Sequence, residues 1–210
     1  DDNTAVGVAA LNLNTTGASN TAMGRSALGV NTSGVNNTAV GANSGDSATT
    51  GSQNAMFGHN AGNNVTTGSN NVLLGESAGN DAMINVTTAD YQIVLGNNAS
   101  TNATIKIDWT VTSDLRDKTE IADVPFGLDF VNQITPIKYK FKTSREDETP
   151  SGRARFGFKA QEILELEGNN PVLVNNDDED NLKLTSAYLV PVLVNAIKEL
   201  KARIEVLENE

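Results

Sequence analysis

Asn37-Thr38-Ala39-Val40-Gly41 is the stretch that decides the fold, because it is one of a series. Asn3-Thr4-Ala5-Val6-Gly7, Asn20-Thr21-Ala22-Met23-Gly24, Asn54-Ala55-Met56-Phe57-Gly58 and Asn71-Val72-Leu73-Leu74-Gly75 stand in step with it, a period of 17 residues held over five copies. Gly17, Gly34, Gly51 and Gly68 keep the same spacing, as do Ala10, Ala27, Ser44, Ala61 and Ala78. A sixth copy, Gln92-Ile93-Val94-Leu95-Gly96, is displaced and follows the fifth by 21 residues. Fixed-period self-similarity signals a solenoid or array in which each repeat buries its apolar face only against its neighbours. Every copy supplies a short apolar strand, a glycine for a turn or close backbone approach, a small residue and a polar turn. Equivalent Asn side chains on successive coils are placed to bond to one another or to turn backbone and lock the register. Helix is a poor reading, since glycine costs about 1 kcal/mol per site relative to alanine. A flexible linker is a poor one too, because linkers do not hold apolar residues in register.

The rest of the composition divides at the end of the repeats. Residues 1–112 hold Phe57, Tyr91 and Trp109 as their aromatics, whereas residues 113–210 hold Phe126, Phe130, Tyr139, Phe141, Phe156, Phe158 and Tyr188. The first part therefore needs stacked repeats or copies of itself to bury surface. The net charge of −11 splits into −5 and −6, and neither part is built to neutralise phosphates, so no nucleic-acid partner is expected. Cysteine is absent, which excludes disulfides and thiolate metal sites. No apolar run approaches membrane-spanning length, so no membrane insertion is expected. The sequence opens inside a repeat, as the C-terminal part of a longer chain would.

Beyond the repeats, residues 103–112 alternate as a strand and lead straight to Ser113. Residues 134–142 read as another strand, residues 155–163 as a strand running into a helix, and residues 171–174 and 182–185 as a hairpin with an acidic tip. A helix over about 186–208 carries Val190, Leu193, Ile197, Leu200, Ile204 and Leu207 at spacings of three and four. That is the pattern of a coiled coil, and one such helix has nowhere to bury its seam. A homotrimer fits both parts of the chain.

The repeats resemble those in the heads of trimeric bacterial adhesins, which implies a β-roll or an intertwined triple β-helix forming a stalk over residues 1–112. From Ser113 onward four landmarks follow in order: Ser113-Asp-x-Arg-x-Lys118, Pro136-Ile-x-Tyr-x-Phe141, Gly157-Phe-x-Ala-Gln-Glu162, and Tyr188-Leu-x-Pro-x-Leu-x-x-Ala-Ile-x-Glu-Leu200. Residues 113–210 thereby resemble the intramolecular chaperone domain of phage tail spikes and tail fibres, the endosialidase-type auto-processing family of peptidase class S74. Lys159, where an apolar residue is usual, and Asp117, between the Arg and the Lys, depart from the pattern without touching Ser113 or Lys118. The resemblance implies a small α+β domain that drives trimerisation of the β-repeat fibre and then cuts its own chain between Ser113 and Asp114. It also implies the rest of a virion appendage and a host cell-surface receptor as partners.

The chemistry available at this junction is a serine and a lysine five residues apart. The single histidine, His59, lies in the repeats, so a Ser-His-Asp arrangement is not expected. A lysine serves as base when it is desolvated, because burial disfavours the ammonium and leaves a free amine to accept a proton. Lys118 is the candidate base and Ser113 the residue it activates. Attack of Ser113 Oγ on its own carbonyl would close a four-membered ring, which leaves a shift of the preceding acyl group or a positioned water as routes. Asp114 and Arg116 are candidates for polarising the site. The bland reading is a turn serine beside a solvated lysine.

Other candidates are thin. The run Asp177 to Asp180 lacks the glycine and alternating ligands of a calcium loop and reads as a solvated tip. Sequons at Asn64 and Asn85 arise readily in Asn- and Thr-rich repeats. No cofactor is called for. A polysaccharide-cutting spike would need paired carboxylates, and Asp and Glu are absent between Asp2 and Asp46. A structural adhesin tip that trimerises without being cut is the main alternative. A membrane-bound regulator that uses the same domain to release a DNA-binding portion fits the acidic repeats poorly.

Overall fold

The computed structural model describes residues 2–81, 84–100, 103, 104, 106, 108, 110–169 and 171–209. Its backbone falls into two compact units, Asp1–Ala103 with Phe141–Gly152, and Thr104–Lys140 with Arg153–Glu210.

In the first unit each repeat contributes one strand. These are β1 (Thr4–Val6), β2 (Thr21–Met23), β3 (Thr38–Val40), β4 (Ala55–Phe57), β5 (Val72–Leu74) and β6 (Ile93–Leu95). They form one sheet in sequence order, and neighbours run parallel with equivalent residues paired, Thr21 on Thr38 and Ala22 on Ala39. The result is a β-solenoid. Because each rung pairs with the next rung of the same chain, the roll is the form taken of the two expected; the intertwined helix, whose ladder alternates between chains, is not.

The corners are turned by residues in the left-handed region, which recur with the repeat: Ser26, Leu28 and Asn36, then Asn43, Gly45 and Gln53, then Asn60, Gly62 and Asn70. Small polar residues and glycine tolerate this conformation best, which explains the Asn and Ser content of the repeats. The glycine closing each strand has a second role. At Gly41, φ is +133°, and a Cβ would sit 2.4 Å from the Gly58 carbonyl oxygen of the next coil.

The core is narrow and filled by exchange of volume between positions. Ala22 and Ala39 point inward beside Leu28, whereas Met56 and Leu73, equally buried, face Gly45, Gly62 and Gly79. A side chain at Gly62 would strike the Met56 sulfur at 2.5 Å. Large and small residues thus alternate between strand and corner while the interior stays close-packed.

The expected carboxamide ladder is present and buried. Asn37 accepts the Asn54 backbone N–H at 3.0 Å and the Asn54 carboxamide at 3.1 Å through Oδ1, while its own Nδ2 donates to the Gly51 carbonyl at 2.8 Å. Asn20, Asn54 and Asn71 repeat the pattern, each Oδ1 accepting the backbone N–H of the equivalent residue one coil on. A second file runs through Thr15, Thr32, Thr49 and Thr66, whose hydroxyls donate to the threonine carbonyl of the following coil.

The displaced sixth copy has a local cause. Four extra residues, 81–84, fall between Asn80 and Asn85, and those two asparagines form an antiparallel bridge with each other. Val86 then donates to Gly79 at 2.9 Å and takes the buried place that Val65 holds one coil earlier. The register resumes, and β6 pairs with β5.

The second unit is built on a different core. Helix α1 (Leu128–Val131), helix α2 (Ala160–Glu167) and helix α3 (Leu189–Glu208) surround Phe130, Ile163, Leu173, Val174, Leu189 and Val192, with Phe126 stacked on Phe130 at 4.3 Å. Glu199 of α3 accepts the Leu128 N–H at 2.9 Å and so caps α1, whose N-cap, Gly127, offers no side chain. Buried Glu167 accepts the backbone N–H groups of Val172 and Leu173 at 2.7 Å and Val174 at 3.0 Å. That carboxylate shapes the approach to the hairpin of β9 (Val174–Asn175) and β10 (Lys183–Leu184), which pair antiparallel as expected. Strands β7 (Ile137–Lys142) and β8 (Pro150–Gly157) form a further two-stranded sheet. The strand expected over 103–112 rests on Ile105, Ile107 and Trp109, which lie outside the described residues; Thr110, Val111 and Thr112 are exposed and in no strand. No helix among the described residues is long and apolar enough to cross a membrane.

Replacing Asn37 by Ala leaves buried backbone groups of two coils without partners, at roughly 1–3 kcal/mol each. Urea unfolding of N37A is expected to show a midpoint well below wild type. Gly41→Ala, which adds both a left-handed strain and a backbone clash, is expected to lower it at least as far. Unchanged midpoints in both variants would show that the ladder does not hold the coils.

Candidate active site

Residues five apart in sequence meet here because one tight turn lies between them. Leu115–Asp117 form a single 3-10 turn with Asp114 as N-cap and Lys118 as C-cap. The Asp117 N–H donates to the Asp114 carbonyl and the Lys118 N–H to the Leu115 carbonyl, both at 3.2 Å. Asp is a favoured N-cap because its side-chain oxygen accepts a backbone N–H that the turn itself leaves unmet. Here Asp114 Oδ1 accepts the Arg116 N–H at 2.9 Å.

With the turn closed, Lys118 Nζ donates to Ser113 Oγ at 2.9 Å. The two residues singled out from the sequence are therefore in direct contact. Both are exposed in this single chain, as are all residues from Thr110 to Pro125.

Arg116 does not reach the dyad. Its guanidinium forks onto Asp114, Nε to Oδ1 at 3.0 Å and Nη2 to Oδ2 at 2.6 Å. The arginine side chain, with the backbone bond beside it, holds the Asp114 carboxyl below the usual carboxylate range, and Asp114 in turn pushes the guanidinium up. The pair acts on the shape of the turn. Sequence reasoning named both residues but not this bond; the Asp-x-Arg spacing around a turn was the available signal.

The remaining candidates lie elsewhere. His59 sits on the solenoid with Nδ1 at 3.8 Å from Glu76 Oε1. Asp177 and Asp178 are engaged by Asn175 and Asn181 at the hairpin tip. Among the described residues no group of His, Cys, Asp and Glu is placed to hold a metal ion. Lys159, the departure from the family pattern, is the N-cap residue of α2 and lies 3.8 Å from Glu162, where a long polar side chain reaches solvent at no cost to the core.

The match to known families begins at the serine of this dyad. Residues 113–172 match the peptidase S74 family, chaperone of endosialidase. That span takes in the turn, β7, β8 and α2, three of the four landmarks read from the sequence. Peptidase S74 is a family of self-cleaving domains. No curated protein and no solved structure matches the chain.

Since the folded turn favours the ionised Asp114, its contribution is present above the ordinary carboxylate range, about 3.9, and is lost as pH falls through the lowered folded value. In an NMR titration the Arg116 amide is expected to move with a midpoint below that range. Arg116→Gln is expected to raise the midpoint toward it; no change on that substitution would show that the ion pair does not form in solution.

Proposed function

We propose that this chain is the C-terminal part of a phage tail fibre or tail spike. In this reading residues 1–112 form the β-repeat stalk, and residues 113–210 form a chaperone domain that trimerises the chain and is then released by self-cleavage between Ser113 and Asp114. The observation that carries it is the 2.9 Å contact of Lys118 Nζ with Ser113 Oγ, made at the first residue of the family match. The exposed seam of α3 supports the assembly step: Ile197, Leu200, Ile204 and Leu207 are uncovered in the single chain, as the facing positions of an unpaired coiled coil are.

The net reaction is hydrolysis of one amide. Hydroxide from water joins the Ser113 carbonyl carbon, the bond to the Asp114 nitrogen breaks, and that nitrogen takes up the proton. Ser113 Oγ cannot attack its own carbonyl without closing a four-membered ring. A shift of the Thr112 acyl group onto Oγ would cut one residue earlier. The route to Ser113–Asp114 is thus a water held by Ser113 and deprotonated through the amine of Lys118. General-base use of a lysine needs its ammonium desolvated, and both side chains are exposed in the single chain. Assembly of the copies is what supplies the burial, so that cleavage follows trimer formation.

Denaturing mass spectrometry of fresh chain tests this. Wild type is expected to yield residues 1–113 and 114–210, and Ser113→Ala and Lys118→Ala to stay intact. Fragments 1–112 and 113–210 would instead mark the acyl-shift route. A wild-type chain that trimerises and stays whole would leave a structural adhesin tip that is never cut.

A further inference from the structure

Helix α3 grips the chain that leads away from the dyad. Every residue from Thr110 to Pro125 is exposed. Among the described residues, the first side chain to tie this stretch to the rest of its unit is Asn195, whose Nδ2 donates to the Val124 carbonyl at 3.1 Å and to the Phe126 carbonyl at 3.3 Å. One turn on, Glu199 accepts the Leu128 N–H at 2.9 Å. One turn further, Arg203 Nη2 lies 3.7 Å from Asp129 Oδ1, an exposed pair that adds little. Residues four apart share a helix face, so a single stripe of α3 holds residues 124–129 in order. Gly127 is part of the fit, because a Cβ there would run into the Glu199 carboxylate.

The same helix carries two other stripes. Leu189, Val192 and Ala196 are buried, whereas Leu193, Ile197, Leu200, Ile204 and Leu207 are uncovered. At 3.6 residues per turn, the gripping stripe lies about 120° around the helix from the uncovered one, with the buried residues between them. Copies that gather through the uncovered stripe therefore leave the grip intact.

We propose that Asn195 and Glu199 are positioning residues for self-cleavage: they peg the stretch carrying Ser113 and Lys118 to the helix through which copies assemble. The proposal rests on the self-cleavage reading above and adds the residues that tie the cut to assembly. Six residue steps separate Lys118 from Val124, at most ~20 Å of chain, and packed helices stand ~8–10 Å apart. With the peg in place, the dyad of one copy stays within reach of a neighbouring copy's α3, which is a surface able to bury Lys118. The bonding chemistry agrees. The Asn195 carboxamide spends both of its N–H donors on backbone carbonyls, one of them in a stretch that buries no side chain. The bond to Val124 thus does little for the core; its effect is to fix where the exposed stretch begins.

The test follows the appearance of residues 1–113 by mass spectrometry in full-length chain, at concentrations where assembly is complete, with oligomer mass taken by light scattering on the same samples. Asn195→Ala/Glu199→Ala keeps a good helix former at both positions and leaves the uncovered stripe untouched. A second variant carries six Gly and Ser residues inserted after Ile121, in the exposed stretch, where insertions are well tolerated. Both are expected to keep the wild-type oligomer mass and to cut with a first-order rate at least tenfold lower, since a misplaced reacting group loses up to ~100-fold. Joined in one chain, the two changes are expected to lower the rate far less than the product of their separate effects, because both act through one tether. A double-alanine trimer that cuts at the wild-type rate, or effects that multiply, would overturn the inference and leave self-cleavage standing. A double-alanine chain that no longer assembles would overturn it as well, by showing that the pair serves the fold. A wild-type trimer that stays whole would overturn both readings.

Discussion

One buried carboxamide per coil sets the register of the repeat. Asn20, Asn37 and Asn54 each join two coils through backbone groups that have no water to turn to, and Asn71 repeats the bonds nearer the surface. The apolar interior cannot do this alone, since much of it is alanine and its larger members, Met56 and Leu73, depend on glycine opposite them. The same regularity carries a hazard. Each coil offers the next an identical ladder, so a coil that skips a neighbour, or pairs with another chain, meets nearly the same bonds. Such arrays fold reliably when something fixes the order of pairing first, because non-local contacts reward the chain only after the loop entropy has been met. A domain that gathers copies at one end, the role proposed for residues 113–210, answers that need, and this would be the physical sense of placing it after a solenoid.

The proposed cut is tied to the same event. The 3-10 turn brings Ser113 and Lys118 together within one chain, yet leaves them in solvent. Geometry comes from local sequence, through the Asp114 cap and its Arg116 clamp, whereas reactivity has to come from burial by other copies. On the proposed reading, separating the two keeps the bond stable in an unassembled chain. In the same reading, a stalk once cut loses the domain that aligned it, and its persistence becomes a matter of unfolding rate.

Much of this was legible in the sequence. The period of 17, the strands and the carboxamide ladder followed from Asn and Gly spacing, and the hairpin at 171–185 and the final helix from ordinary apolar patterning. What the sequence left open were facts of chain partnership and of single side chains. A repeat pattern reads the same whether rungs pair within a chain or between chains, so the choice of roll over intertwined helix needed the structure. Nothing in the sequence sets Glu167 apart from the other glutamates around it, because its burial depends on three backbone groups that arrive five to seven residues later. The four-residue displacement of the last repeat was visible, but its cause, the bridge between Asn80 and Asn85, was not. At the dyad, the spacing of Ser113 and Lys118 was legible and their contact was not, because it depends on a turn whose cap and clamp are both side-chain effects.

The central claim is that assembly supplies the burial that turns Lys118 into a base. Its most direct test is the rate of appearance of residues 1–113 as the concentration of refolding chain is varied, with oligomer mass followed in the same samples. The account predicts a rate that rises steeply with concentration and levels off once the chain is fully assembled. Cleavage of a dilute, monomeric chain at the same first-order rate would contradict it.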